Sequence, residues 1–208
     1  MTLFSKCVSR KVHEHQQHDQ QDCEADGLWT KLTVWRKSLV FSCQGFTVID
    51  SHGSLVFRVD NYTGRPEEVT LMDGSGMPTL TLRHRKKLRL VDTWLVYEGE
   101  DGEHSSKKPI IGCVRKHINI LRPNSKVLAR VYCGPSDKKF AYTIEGSYVH
   151  RSCWVLDESK RVVAEIRRKE SMNGGVSFGL EVFHLIVRPG FSLSFAMAIV
   201  LILDQMFS

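Results

Sequence analysis

The sequence predicts a mainly β protein: a closed antiparallel barrel of ten to twelve strands around a hydrophobic C-terminal helix. Three observations carry that expectation. From Leu28 onward, short apolar runs follow one another, joined by turn residues. Within the runs apolar and polar side chains alternate, as where Leu80 and Leu82 alternate with Thr81 and Arg83, the period of a half-buried strand. Near its end the chain carries a stretch, Phe195 to Leu203, without one polar side chain.

Residues 1–27 stand apart. They are rich in His and Gln, hold three Lys/Arg against five Asp/Glu, and show no apolar period. That composition predicts a disordered tail, with residues 28–208 as the folded domain. His13, His15 and His18 could grip a metal transiently, but their setting is that of a solvated tail. No apolar signal-peptide core is visible there. Cys7, Cys23, Cys43, Cys113, Cys133 and Cys153 form no C-x-x-C pair. Both features predict an intracellular chain with reduced thiols, and neither a zinc site nor a redox motif.

The body then reads as hairpins. FTVIDSHGSLVFRV (46–59) is two runs around Asp50-Ser51-His52-Gly53, and EVTLMDGSGMPTLTLRHR (68–85) repeats the plan around Asp73-Gly74-Ser75-Gly76. WLVYEGEDGEHSSKKPIIGCVRK (94–116) has a longer loop. VLARVYCGPSDKKFAYTIEG (127–146) turns at 133–139, and CWVLDESKRVVAEIRRK (153–169) turns at 157–160. Asp and Gly supply the backbone geometries that such turns need. The units share no repeat signature, and a meander of this size removes its exposed edges most simply by closing into a barrel. Trp29, Trp35, Trp94 and Trp154 fall in or beside the runs and are expected in the core or barrel wall.

The terminal apolar stretch is too short for a membrane span, which needs about 20 apolar residues. It also has no polar face for a surface helix, so a soluble chain must enclose it on every side. Pro189-Gly190 breaks the chain before it, and Ser192 or Ser194 can cap its first turn. A helix over 192–207 is about 24 Å long at 1.5 Å per residue. That matches the height of a barrel of five- to seven-residue strands, about 20 Å. The expectation is a helix threaded through the barrel.

LTVWRKSLVF, FTVIDSHGSLVFRVDNY, TLMDGSGMPTLTLRHRKKL and AIVLILDQMF, in this order, resemble the LURP-one-related proteins of plants over about residues 32–207. The resemblance implies the Tubby C-terminal-like fold, a closed barrel of about twelve strands around a hydrophobic helix. That fold is shared with Tubby domains, which bind phosphoinositides, and with phospholipid scramblases. For the LURP-one-related proteins it implies a link to plant defence without a defined biochemical activity.

Chemistry is sparse. No nucleophile elbow, zinc-protease, P-loop or dinucleotide motif is present, so no catalytic residues and no cofactor are expected. Cys113 with His117 and Cys153 with His150 lack a visible third group to orient the histidine. Asp50, Asp73 and Asp157 are turn formers rather than calcium ligands, since Lys160 and Arg161 occupy the middle of the loop that would have to coordinate.

The binding candidate is the basic run Arg83, Arg85, Lys86, Lys87 and Arg89. Continued in the register of Leu80 and Leu82, it puts Arg83, Arg85, Lys87 and Arg89 outward in a row that suits a phosphate headgroup. His84 and Lys86 would turn inward, which suggests a break in the strand there. Such a row also guards a sheet edge. Lys107-Lys108, Arg115-Lys116 and Arg167-Arg168-Lys169 are secondary basic patches. Net charge is +6, or +8 without the tail, where 26 Lys/Arg face 18 Asp/Glu. Anionic phospholipid headgroups or an acidic protein are the expected partners. Nucleic acid is not, because the run lacks interleaved aromatics. The chain is expected to be a monomer in the cytoplasm or nucleus or peripheral at a membrane. The alternative is a protein-interaction or transcription-linked module without a lipid ligand.

Overall fold

The computed structural model describes residues 28–40, 44–60, 67–85, 92–99, 109–118, 126–169 and 179–208. The tail 1–27 lies outside them. Twelve strands and one helix are present among the described residues. The strands are β1 (Thr30–Trp35), β2 (Phe46–Ile49), β3 (Leu55–Val59), β4 (Glu68–Asp73), β5 (Pro78–His84) and β6 (Thr93–Glu98). They continue as β7 (Ile110–Lys116), β8 (Val127–Tyr132), β9 (Tyr142–Ser147), β10 (Ser152–Leu156), β11 (Val162–Arg168) and β12 (Val182–Val187). The helix, α1, spans Leu193–Phe207.

Every strand pairs antiparallel with its sequence neighbour, and β1 pairs with β12, so the sheet closes. The closing seam runs from Thr30↔Val187 to Trp35↔Val182. The turns form for the reason the sequence suggested. Asp50 Oδ1 accepts from the His52 and Ser54 amides, Asp73 Oδ1 from those of Ser75 and Met77, and Asp157 Oδ1 from that of Arg161. These bonds hold all three carboxyls below the ordinary carboxylate range; the Ser75 hydroxyl leads at Asp73.

The helix sits inside the barrel. Ala196 through Asp204 and Met206 are buried, and they share one core with Leu32, Val48, Leu71, Leu82, Trp94, Val114, Ile144, Ile166 and Leu185 from the strands. Ser192 caps it, its hydroxyl accepting from the Phe195 amide. Gly112 lies close against the helix: a Cβ there would be 2.7 Å from the Phe195 ring. Trp94 joins the core, while Trp35 and Trp154 stand partly exposed on the outer wall.

The helix brings a carboxylate into this core. Asp204, 1% exposed, accepts from Tyr148 Oη at 3.0 Å and from Arg36 Nε at 3.2 Å, and Arg151 Nη2 lies 3.8 Å away. Arg151 is itself buried, its guanidinium over the rings of Tyr148 (4.1 Å) and Phe183 (4.7 Å). A carboxylate near a helix C-terminus opposes the helix dipole, and the two arginines offset that. Lys116 Nζ donates to Met206 O at 2.8 Å, closing the last turn. Arg36, Tyr148 and Arg151 thus tie the helix's exit to the connections after β1 and β9.

Candidate functional site: a basic and aromatic outer wall

The sequence places Arg83 on the outward phase of β5, and the structure agrees. Leu80 and Leu82 point into the core, while Arg83 pairs with Glu68 Oε2 across the sheet at 2.7 Å and lies 6.0 Å from the Tyr97 ring. His84 takes the inward phase, stacked on Trp94 at 5.0 Å with Nε2 2.5 Å from Asp92 Oδ1, and β5 ends there. Arg85 follows, exposed, its amide bonded to Thr93 O. Lys86, Lys87 and Arg89 lie outside the described residues.

Among the described residues the row continues sideways across the sheet. Arg85 stands opposite Thr93, Thr93 pairs with Arg115, and Arg115 pairs with Arg130. One register step along, Arg83, Leu95, Cys113 and Tyr132 form a parallel row. Leu95, Cys113 and Tyr132 make a second buried cluster, separate from the barrel core, packed by Tyr97, Ile110 and Phe140. The 133–141 connection folds over it: Arg115 Nη2 donates to Pro135 O at 2.6 Å.

Aromatic rings hold these cations in place. Arg115 lies 4.1 Å from the Tyr132 ring and Arg130 4.8 Å from that of Phe140. Arg130 Nε is buried and has no hydrogen-bond partner among the described residues. His117, on the same face, has its pKa lowered by burial and then by the Arg130 charge. Among the described residues the wall therefore carries four arginines, of which Arg83 has a carboxylate partner in Glu68.

Of the secondary patches, Arg115 joins this wall and Lys116 turns inward to the helix end. Arg167 pairs with Glu165 on the far side of the barrel, and Lys107 and Lys108 lie outside the described residues. The sequence reading did not single out Arg130, Tyr97, Tyr132 or Phe140. The alternation in VLARVY puts Arg130 and Tyr132 on one face and was the available signal. The aromatics absent from the basic run come from neighbouring strands, but the Tyr132 face is covered by a guanidinium and offers little room for a base. Cys113 and Cys153 are buried, which pushes both thiols up, Cys153 to about 12, away from the nucleophilic thiolate.

Two shallow grooves flank the 133–141 connection. One, of about 360 Å³, lies between Tyr132, Tyr142, Phe191 and Phe195 where the helix enters; the other, of about 440 Å³, is lined by Lys138, Lys139 and Glu158. Among the described residues no group of three His, Cys, Asp or Glu side chains is arranged to hold a metal. No helix there is long and apolar enough to cross a membrane.

The model of the LURP-one-related family matches residues 30–204. Among similar proteins, LURP-one-related 17 of Arabidopsis thaliana is 46% identical over the whole of both chains. LURP-one-related 8 of the same plant is 50% identical over 85% of this chain and 86% of its own. A crystal structure of an Arabidopsis thaliana protein, 26% identical, superimposes with a TM-score of 0.60 over 85% of this chain and 90% of that one. The match runs from the first strand to the buried end of the helix, and the chain belongs to the LURP-one-related family.

Proposed function

We propose that this protein is a non-enzymatic barrel that docks on anionic phospholipid, phosphoinositides included, through the outer wall of β5–β8. The supporting observation is the convergence of Arg83, Arg85, Arg115 and Arg130 from three strands and one strand end onto a single face. Two of them are pre-set by aromatic rings, so little side-chain freedom is lost when phosphate binds. Beside an anionic membrane each cation contributes about 1 kcal/mol. The setting, peripheral at a cytoplasmic membrane in plant defence, follows the family resemblance.

The test is co-sedimentation of the full chain with phosphatidylcholine vesicles carrying phosphatidylserine or a phosphoinositide, at two salt concentrations. Binding should weaken steeply with salt and fall on Arg83→Glu, Arg85→Glu and Lys87→Glu. Arg115→Lys keeps the charge but loses the stack on Tyr132, and should weaken binding as well. No sedimentation at low salt would leave the protein-interaction reading in its place.

A further inference from the structure

The groove where the helix enters the barrel is aromatic and uncharged. Ile111, Tyr132, Tyr142, Phe191 and Phe195 line about 360 Å³ of space, and none of the described side chains around it carries a charge. The rings are set against one another. Tyr142 meets Phe191 edge-on at 5.2 Å, and Phe191 meets Phe195 edge-on at 6.0 Å. The turn that leads into them is held as well: the Phe191 amide donates to Arg188 O at 3.1 Å, across Gly190 at φ 85°. Such a recess takes an apolar occupant and excludes a charged headgroup, which would lose its hydration there without a partner.

The chain carries an occupant of that kind within reach. β1 begins and β12 ends at this mouth, with Thr30 opposite Val187. Gly190, three residues beyond Val187, lines the groove. At about 5 Å across the strand pair and about 3.8 Å per residue, Thr30 stands within about 17 Å of it. Leu28, just before the strand, is 87% exposed, so the chain that precedes it starts from this mouth. By sequence that segment divides in two. Residues 13–27 hold no Val, Leu, Ile, Met, Phe, Tyr or Trp, whereas residues 1–12 hold Met1, Leu3, Phe4, Val8 and Val12. Phe4 is the one Phe, Tyr or Trp before Trp29. It lies 24 residues before Leu28, a length that reaches up to about 80 Å. The groove is well inside that radius.

We infer that the groove is an intramolecular docking site for residues 3–8, with the Phe4 side chain among Tyr142, Phe191 and Phe195 and residues 13–27 as the tether. Tethering gives the segment an effective concentration on the order of millimolar. A contact too weak to join two molecules therefore holds within one, and a second copy is at a disadvantage. Lys6, Arg10 and Lys11 stay in water outside the groove. None of this draws on the lipid reading above.

The chain supplies its own probe. Cys133 is exposed and lines the groove, and Cys7 follows Phe4 by three residues. The experiment oxidises the dilute full chain with copper phenanthroline and maps the bridges by mass spectrometry and non-reducing electrophoresis. A Cys7–Cys133 bridge should form within single chains. Phe4→Ser should slow its formation about 10-fold and Ile111→Ser about 5-fold, from the apolar contact each removes. Met77→Ser, exposed at the same mouth but outside the groove, should leave the rate unchanged. Unaltered near-UV circular dichroism separates these effects from misfolding. A bridge that ignores both Phe4→Ser and Ile111→Ser records chance collision of a tethered thiol and overturns the docking. Absence of the bridge overturns it too, as does a bridge found only between two chains. Vesicle binding, or its failure, bears on none of these outcomes.

Discussion

The Tyr148 hydroxyl donates to Asp204 Oδ1 at 3.0 Å, joining the β9–β10 turn to the buried end of the helix. Removing the carboxylate strands Arg151 in the core, and removing the hydroxyl costs one bond to a charged group. Asp204→Ala should lower stability by about 3 kcal/mol, and Tyr148→Phe by about 1.5 kcal/mol. Urea denaturation of the two single variants and the double variant should show a coupled pair, with the double loss smaller than the sum. Additive losses would mean that the bond carries no stability.

Ile199 lies at the centre of the helix with apolar neighbours on every side. Ile199→Asp puts an unpaired charge there and should prevent folding. A soluble variant with native near-UV circular dichroism would place the helix outside the core.

Gly112 faces the Phe195 ring so closely that any Cβ must displace it. Gly112→Ala should cost between about 1 and 3 kcal/mol. Combining it with Phe195→Ala should cost less than the two separately, because the clash is then relieved. Thermal unfolding of the three variants decides this.

His184 sits on the outer wall of β12, and its pKa is lowered from 6.5 to about 4, first by burial and then by the nearby Lys31 and Lys169 charges. Its folded pKa lies below its unfolded one, so the unfolded chain takes up the proton first as pH falls. Stability present above pH 6.5 is lost as pH falls towards 4. His184→Gln should lose less stability over that window than the native chain. Equal slopes in a pH series of denaturation midpoints would show that His184 does not contribute.

Cys133 is exposed on the 133–141 connection, while Cys113 and Cys153 are buried with raised thiol pKa values. Brief maleimide treatment, mapped by mass spectrometry, should label Cys133 and spare the other two until the chain is unfolded. Fast labelling of Cys153 would mean that the barrel opens.

Much of the fold was legible in the chain because its determinants are local. Each turn aspartate bonds amides two to four residues away, and alternation assigns each side chain to a face. A helix with no polar face has one place to go. Of the candidate site, alternation correctly set Arg83 outward.

Who stands beside whom was not legible, because cross-strand register depends on how the whole sheet closes. The sequence by itself determined the hairpins, the barrel and the enclosed helix. Only the tertiary structure decided that Arg115 and Arg130 extend the row begun by Arg85, and that aromatic rings from other strands hold them. It also made Asp204 a buried anchor: its partner Arg36 is 168 residues away in the chain, and proximity of that kind exists only once the barrel has closed.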